Sequence, residues 1–209
     1  MKIYGASIWL KRQLDIILSA LALVVVAPFF PIIALAIKLD SRGPVFFRQL
    51  RVGSFHRDRA ELFYMIKFRS MCCDAEKTTG AVWAQKTDPR ITTTGSFLRK
   101  TRLDELPQLI NVLKGDMSII GPRPERPDFY QNLENNIPFY AERTYGLRPG
   151  ITGLAQVYQG YDTCIEDVRS KVAYDHSYAL TLDSVSAWIM TDIKIIFMTL
   201  WVMIRGRGQ

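Results

Sequence analysis

The longest run of hydrophobic positions lies near the start of the chain, where residues 16 to 37 read IILSALALVVVAPFFPIIALAI without a charge. These 22 residues match the length of a membrane-crossing helix. The run is longer than a signal-peptide core, and KLDSRGP follows it in place of a small-residue cleavage site, so it is expected to remain as an anchor. Its flanks oppose a simple crossing. Lys2, Lys11 and Arg12 precede it and Lys38, Arg42, Arg48 and Arg51 follow it, so both ends favour the cytoplasmic side. Pro28 and Pro31 each remove a backbone donor near its middle, and a break is expected at Pro28. The pattern predicts a re-entrant helix-break-helix, with a bitopic span as the alternative.

A second apolar stretch, DSVSAWIMTDIKIIFMTLWVMIRGRGQ, closes the chain, interrupted by Asp192 and Lys194 and carrying Trp188 and Trp201. It reads as an interfacial amphipathic helix, or as a core helix burying one stripe. Between the ends, residues 44 to 71 hold β-rich apolar stretches broken by Gly53 and a polar turn, and predict a short hairpin. Residues 72 to 98, with TTGAVW and KTDPRITTTG, read as mostly loop. Leu103, Leu106, Ile110 and Leu113 recur at helical spacing before Gly115. Further helices are expected near 128 to 143 and 165 to 179, with LRPGITGLAQV as a loop between them. The fold class is α+β, mainly helical, with a membrane hairpin at 1–43 and a catalytic domain at 44–209.

Composition narrows the partners. Of 209 residues, 27 are Lys or Arg and 20 are Asp or Glu, a formal net charge of +7 that favours nucleic acid, phospholipid headgroups or a phosphorylated substrate. No helix-turn-helix, zinc-finger or ribonucleoprotein segment accompanies the charge, so no nucleic-acid partner is expected. Cys72, Cys73 and Cys164 form no metal-binding spacing and read as free thiols in a reducing compartment.

The densest chemistry lies in TRLDELPQLINVLKGDMSIIGPRPERP, residues 101 to 127. Asp104 and Glu105 stand at the opening of the predicted 103–114 helix, where acids often only complement the helix dipole. Cations crowd them: Arg99, Lys100 and Arg102 before, Arg123 and Arg126 in the proline-rich loop after. Arg148 opens RPGITG, and Lys67 and Arg69 end the hairpin. A carboxylate is a competent nucleophile at phosphorus if cations offset the repulsion of an anionic substrate. Lys67, Arg99, Arg123 and Arg148 are therefore candidate phosphate-binding residues. Asp104 and Glu105 are the candidate catalytic pair.

The segments KFRSM, RLDELPQLINVLKGDMSIIGPRPE and RPGITGLAQV, in this order, resemble the bacterial sugar transferases, specifically the monotopic polyprenyl-phosphate phosphoglycosyl transferases. The resemblance covers nearly the whole chain and is to the minimal catalytic form. It implies transfer of sugar-1-phosphate from a UDP-sugar to undecaprenyl phosphate with release of UMP, through a covalent intermediate. Such a step begins the assembly of exopolysaccharide, capsule, O-antigen or glycoprotein glycans. It implies Asp104 as nucleophile and Glu105 as its partner, the pair holding Mg2+, with Arg99 and Arg123 toward substrate phosphates. It implies the bacterial inner membrane, a cytoplasm-facing catalytic domain and an anionic phospholipid surface, and it allows a homo-oligomer. The re-entrant break reads Ala27-Pro28 here, where the family has Ser-Pro. A membrane-tethered nucleic-acid binder and an inactive scaffold are the alternative functions.

Overall fold

The computed structural model describes residues 5–56, 59–73, 75, 88–159 and 164–205. TTGAVW, Lys2 and the last four residues lie outside them.

The N-terminal apolar segment is two helices, α1 (Gly5–Val26) and α2 (Phe30–Asp40), joined by a 3-10 turn at Ala27–Phe29 that carries Pro28. The missing donors at Pro28 and Pro31 shorten the hydrogen-bond spacing there. Strands β1 (Phe46–Phe55) and β2 (Ala60–Phe68) form the expected antiparallel hairpin, with a register irregularity between Val52 and Phe55 around Gly53.

Helix α3 (Thr93–Lys100) takes up the end of the stretch read as mostly loop. Thr92 caps it, accepting a hydrogen bond from the Gly95 amide at 3.0 Å. Gly95 reads as a breaker in sequence, yet its role is close packing: a Cβ there would lie 1.9 Å from the Ser70 carbonyl oxygen.

The predicted 103–114 helix is divided. Leu103–Glu105 is a 3-10 turn entered through Arg102 at φ 57°, and α4 spans Gln108–Lys114. Pro107 has no N–H to donate back to Leu103, so the chain tightens into three-residue turns before the α-helix begins. The buried face also differs. Leu109 and Val112 are buried with Gln108 and Asn111, while Leu106, Ile110 and Leu113 are half-buried. Two neighbours cause this: α4 packs against β2 on one side and α1 on another.

Strands β3 (Ser118–Ile120) and β4 (Gly150–Thr152) pair in parallel, so the predicted loop LRPGITGLAQV contains a strand and the short helix α6 (Leu154–Tyr158). Gly150 lies so close to Gly121 that a Cβ would meet its amide nitrogen at 2.1 Å. Helix α5 (Pro127–Asn136) stops short of residue 143 because Ile137, before Pro138, is extended. A 3-10 turn, Ala141–Thr144, follows.

Helix α7 (Ile165–Thr181) agrees with expectation, and α8 (Val185–Ile204) combines both readings made for it. Trp188 and Ile195 are fully buried against Tyr178 and Leu182, whereas Met190, Phe197, Trp201 and Ile204 are exposed. Ser7–Asp40 and Val185–Ile204 are both long and apolar enough to cross a membrane.

Candidate active site

Asn111 on α4 sets the position of the hairpin. Its side chain accepts from the Ile66 amide at 3.0 Å and donates to the Tyr64 carbonyl at 2.9 Å, clamping the edge of β2 to α4. That clamp carries Lys67, the next residue, over the 3-10 turn. Lys67 Nζ reaches Glu105 Oε1 at 2.8 Å, and the two terminal guanidinium nitrogens of Arg123 approach the same oxygen at 3.4 Å.

Asp104 takes the other role. It is 7% exposed and lies in the wall of a cleft of about 440 Å³ with Lys67, Arg99 and Arg123. Its carboxylate accepts no hydrogen bond among the described residues. Neither does the Arg99 side chain make a hydrogen bond or ion pair there, and its Nε is buried without a partner. The adjacent acids are therefore held differently, one neutralised by two cations and one unengaged at the cleft.

Their proton affinities diverge accordingly. Burial pushes Asp104 up to about 6, against the opposing pull of Lys67 and with the Glu105 charge adding to the rise. Burial acts on Glu105 in the same sense, but Lys67 and Arg123 outweigh it and hold Glu105 well below the usual carboxylate range. Lys67 is itself lowered by burial, with Glu105 opposing.

Arg148 does not join them. It donates through Nε to the Gly115 carbonyl at 2.8 Å, at the C-terminal end of α4, and lines a small cavity with Arg12. The seven residues of α4 place it about 10 Å along the helix from the acids at 1.5 Å per residue. Arg69 is also committed elsewhere. Its guanidinium donates to the carbonyls of Ser41 at 2.6 Å and Arg42 at 2.9 Å, tying the end of α2 to β2.

The cleft includes residues that sequence reasoning passed over. Arg51 donates to Gln49 Oε1 at 2.6 Å and to the Pro124 carbonyl at 3.1 Å, and lies 3.4 Å from Glu125. Burial lowers Arg51 to about 10. These contacts hold the 122–126 loop beside β1. Behind the loop, Arg143 donates to the Arg123 carbonyl at 3.0 Å, to Asp175 at 2.9 Å and to the Tyr140 hydroxyl at 3.0 Å. Asp175 is 3% exposed and fully enclosed behind the loop. Its seventeen-residue helix has a weakly segregated pattern that gives no signal of that burial.

The bacterial sugar transferase family model matches residues 6–206. The chain belongs to the bacterial sugar transferase family. Among family relatives, a UDP-N-acetylgalactosamine-undecaprenyl-phosphate N-acetylgalactosaminephosphotransferase of Aeromonas hydrophila is 44% identical over 200 residues, 96% of this chain and 45% of the relative. A UDP-glucose:undecaprenyl-phosphate glucose-1-phosphate transferase of Xanthomonas campestris pv. campestris is 43% identical over 202 residues, 95% of this chain and 39% of the relative. An exopolysaccharide production protein of Rhizobium leguminosarum bv. phaseoli is 41% identical over 205 residues, covering 95% of this chain and 98% of that protein. The chain thus spans less than half the length of the first two and nearly all of the third.

Proposed function

We infer that the protein is a phosphoglycosyl transferase that moves sugar-1-phosphate from a UDP-sugar to undecaprenyl phosphate in the first membrane step of a surface glycan. The observation that carries this is the unengaged Asp104 carboxylate, held at a cleft among Lys67, Arg99 and Arg123. The names of the family relatives point the same way.

In this reading an Asp104 oxygen attacks the β-phosphorus of the UDP-sugar. The bond from that phosphorus to the bridging oxygen breaks, UMP leaves with the bond's electron pair, and an aspartyl-phosphosugar remains. An oxygen of undecaprenyl phosphate then attacks the same phosphorus, the bond to Asp104 breaks, and the lipid carries the sugar through a diphosphate. Lys67 and Arg123 keep Glu105 ionised beside the reaction, and Arg99 and Arg123 offer guanidinium donors to the non-bridging oxygens.

Two adjacent carboxylates with substrate phosphates suit a magnesium ion, which ordinarily takes one or two protein carboxylates and keeps water or phosphate for the rest. Asp104 and Glu105 would hold Mg2+, whose chemistry is neutralisation of the diphosphate charge. No group of three or more potential ligands exists among the described residues, so substrate oxygens would complete the shell.

The membrane arrangement that accords with this is re-entrant, with the catalytic domain on the cytoplasmic side of the inner membrane. Arg12 donates to the Val112 and Leu113 carbonyls at 2.6 and 3.0 Å, Lys11 pairs with Asp192 at 3.0 Å, and Asp15 accepts from Ser118 at 2.8 Å. At the other end Asp40 accepts from the Thr94 amide at 2.7 Å. Both ends of the apolar segment are thus tied to one domain, while Val24, Val25, Phe29 and Ile32 around the break are exposed.

The test is UMP release from a panel of UDP-sugars with undecaprenyl phosphate, scored also for lipid-linked product. One sugar should be turned over, EDTA should silence the enzyme, and Asp104→Asn should abolish release. A purified Asp104→Asn protein retaining a tenth or more of wild-type activity would overturn the covalent reading.

A further inference from the structure

The cleft has one wall of a different chemistry. Toward α2 its lining includes the apolar Pro44, Phe46, Phe47 and Phe68 beside Arg69 and Ser70, whereas Gln49, Arg51, Glu125 and Arg126 line the part farther along β1. The apolar wall is continuous with the membrane segment. Phe30 on α2 meets the Phe68 ring edge-on at 4.9 Å, and the Phe46 ring stacks on Phe68 at 5.3 Å. Ile33 and Ile37 of α2 pack into the same cluster.

Phe46 and Phe47 are each 42% exposed, unusual for two adjacent aromatic residues inside a paired strand. Phe46 lies opposite Phe68 and Phe47 opposite Lys67. Side chains directly opposite in an antiparallel pair share a face. Phe46 therefore faces α2, while Phe47 stands on the side where Lys67 meets Glu105. The two rings carry apolar surface from the membrane helix around the start of β1 into the cleft whose wall holds Asp104.

We propose that Phe46 and Phe47 form the seat for the isoprenoid chain of the acceptor lipid, guiding it from α2 so that its phosphate arrives at Asp104. The assignment rests on the phosphoglycosyl-transferase reading. The acceptor has a chain that belongs in hydrocarbon and a phosphate that must reach a buried carboxylate, and this wall joins those two places. The polar part of the cleft is left for the water-soluble donor.

The experiment separates the two half-reactions in the full-length protein. Phe46→Ser and Phe47→Ser are compared with Phe46→Leu and Phe47→Leu, using undecaprenyl phosphate in detergent and the UDP-sugar selected by the panel. Loss of a ring's apolar contact should raise the acceptor KM about ten- to a hundredfold in the Ser variants. The Leu variants should stay within about threefold of wild type, because an isoprenoid needs apolar area more than an aromatic face. UMP released before acceptor is added should remain near one per active site in every variant. An unchanged acceptor KM in the Ser variants overturns the proposal, as does loss of the acceptor-independent release, which would place the rings at the donor. Absence of that release in wild type removes the covalent reading alone, and the acceptor KM of the Ser variants still decides the seat.

Discussion

Lys67→Met tests the electrostatics of the acidic pair. In the covalent reading proposed above Asp104 must be ionised to attack, and burial sets it at about 6, so the rate of that reading's first half-reaction should fall about tenfold per pH unit below that value. Lys67 is the strongest of the nearby charges acting to lower Asp104. An opposite charge within about 4–6 Å lowers a carboxyl by about one to three units, so its removal should raise Asp104 by at least about one. The sign is fixed: loss of a cation disfavours the carboxylate, so the acid limb moves to higher pH. With a midpoint moved to about 7–8, the ionised fraction at pH 7 drops from about nine-tenths to between about a half and a tenth. The variant should therefore be about two- to tenfold slower at pH 7 and recover toward pH 9. Rapid-quench measurement of UMP release in a single turnover, at fixed Mg2+ and ionic strength from pH 4.5 to 9, reads the displacement. A limb at the same or lower pH, or a uniform slowing without displacement, would refute this account of Lys67.

Two further outcomes are expected. Asp175→Asn weakens the buried brace on the Arg123 carbonyl, and should cost about tenfold in kcat/KM in wild type but less than about twofold in an Arg123→Gln background. Equal losses in both backgrounds would show that the brace acts elsewhere. In a background without the native cysteines, Lys2→Cys and Ser41→Cys should both be shielded from an impermeant thiol reagent in intact cells and both react after permeabilisation, whereas labelling of Lys2→Cys alone from outside would establish a bitopic anchor.

The apolar N-terminal run, its proline break, the hairpin and the run of acids and cations around residue 104 are all local signals, and local physics suffices to read them. Residues 16–37 are uncharged in sequence, Pro28 lacks its donor in any fold, and the β-rich stretches on either side of Gly53 and the polar turn are visible residue by residue. The resemblance carried the pairing of Asp104 with Glu105 further than periodicity could. What periodicity misjudged was the phase of α4, because a short helix packed on two sides has no single apolar stripe to follow. The charge pattern placed Lys67, Arg99, Arg123 and Arg148 on equal terms. Charge reaches only as far as a side chain can extend, and where each backbone stands is set by packing: Asn111 brings β2 and Lys67 to Glu105, Arg143 holds the Arg123 peptide, and the length of α4 keeps Arg148 away. Only the tertiary structure divided the two acids into one neutralised and one unengaged. Their sequence positions differ by one residue, and their surroundings come from segments far away in the chain.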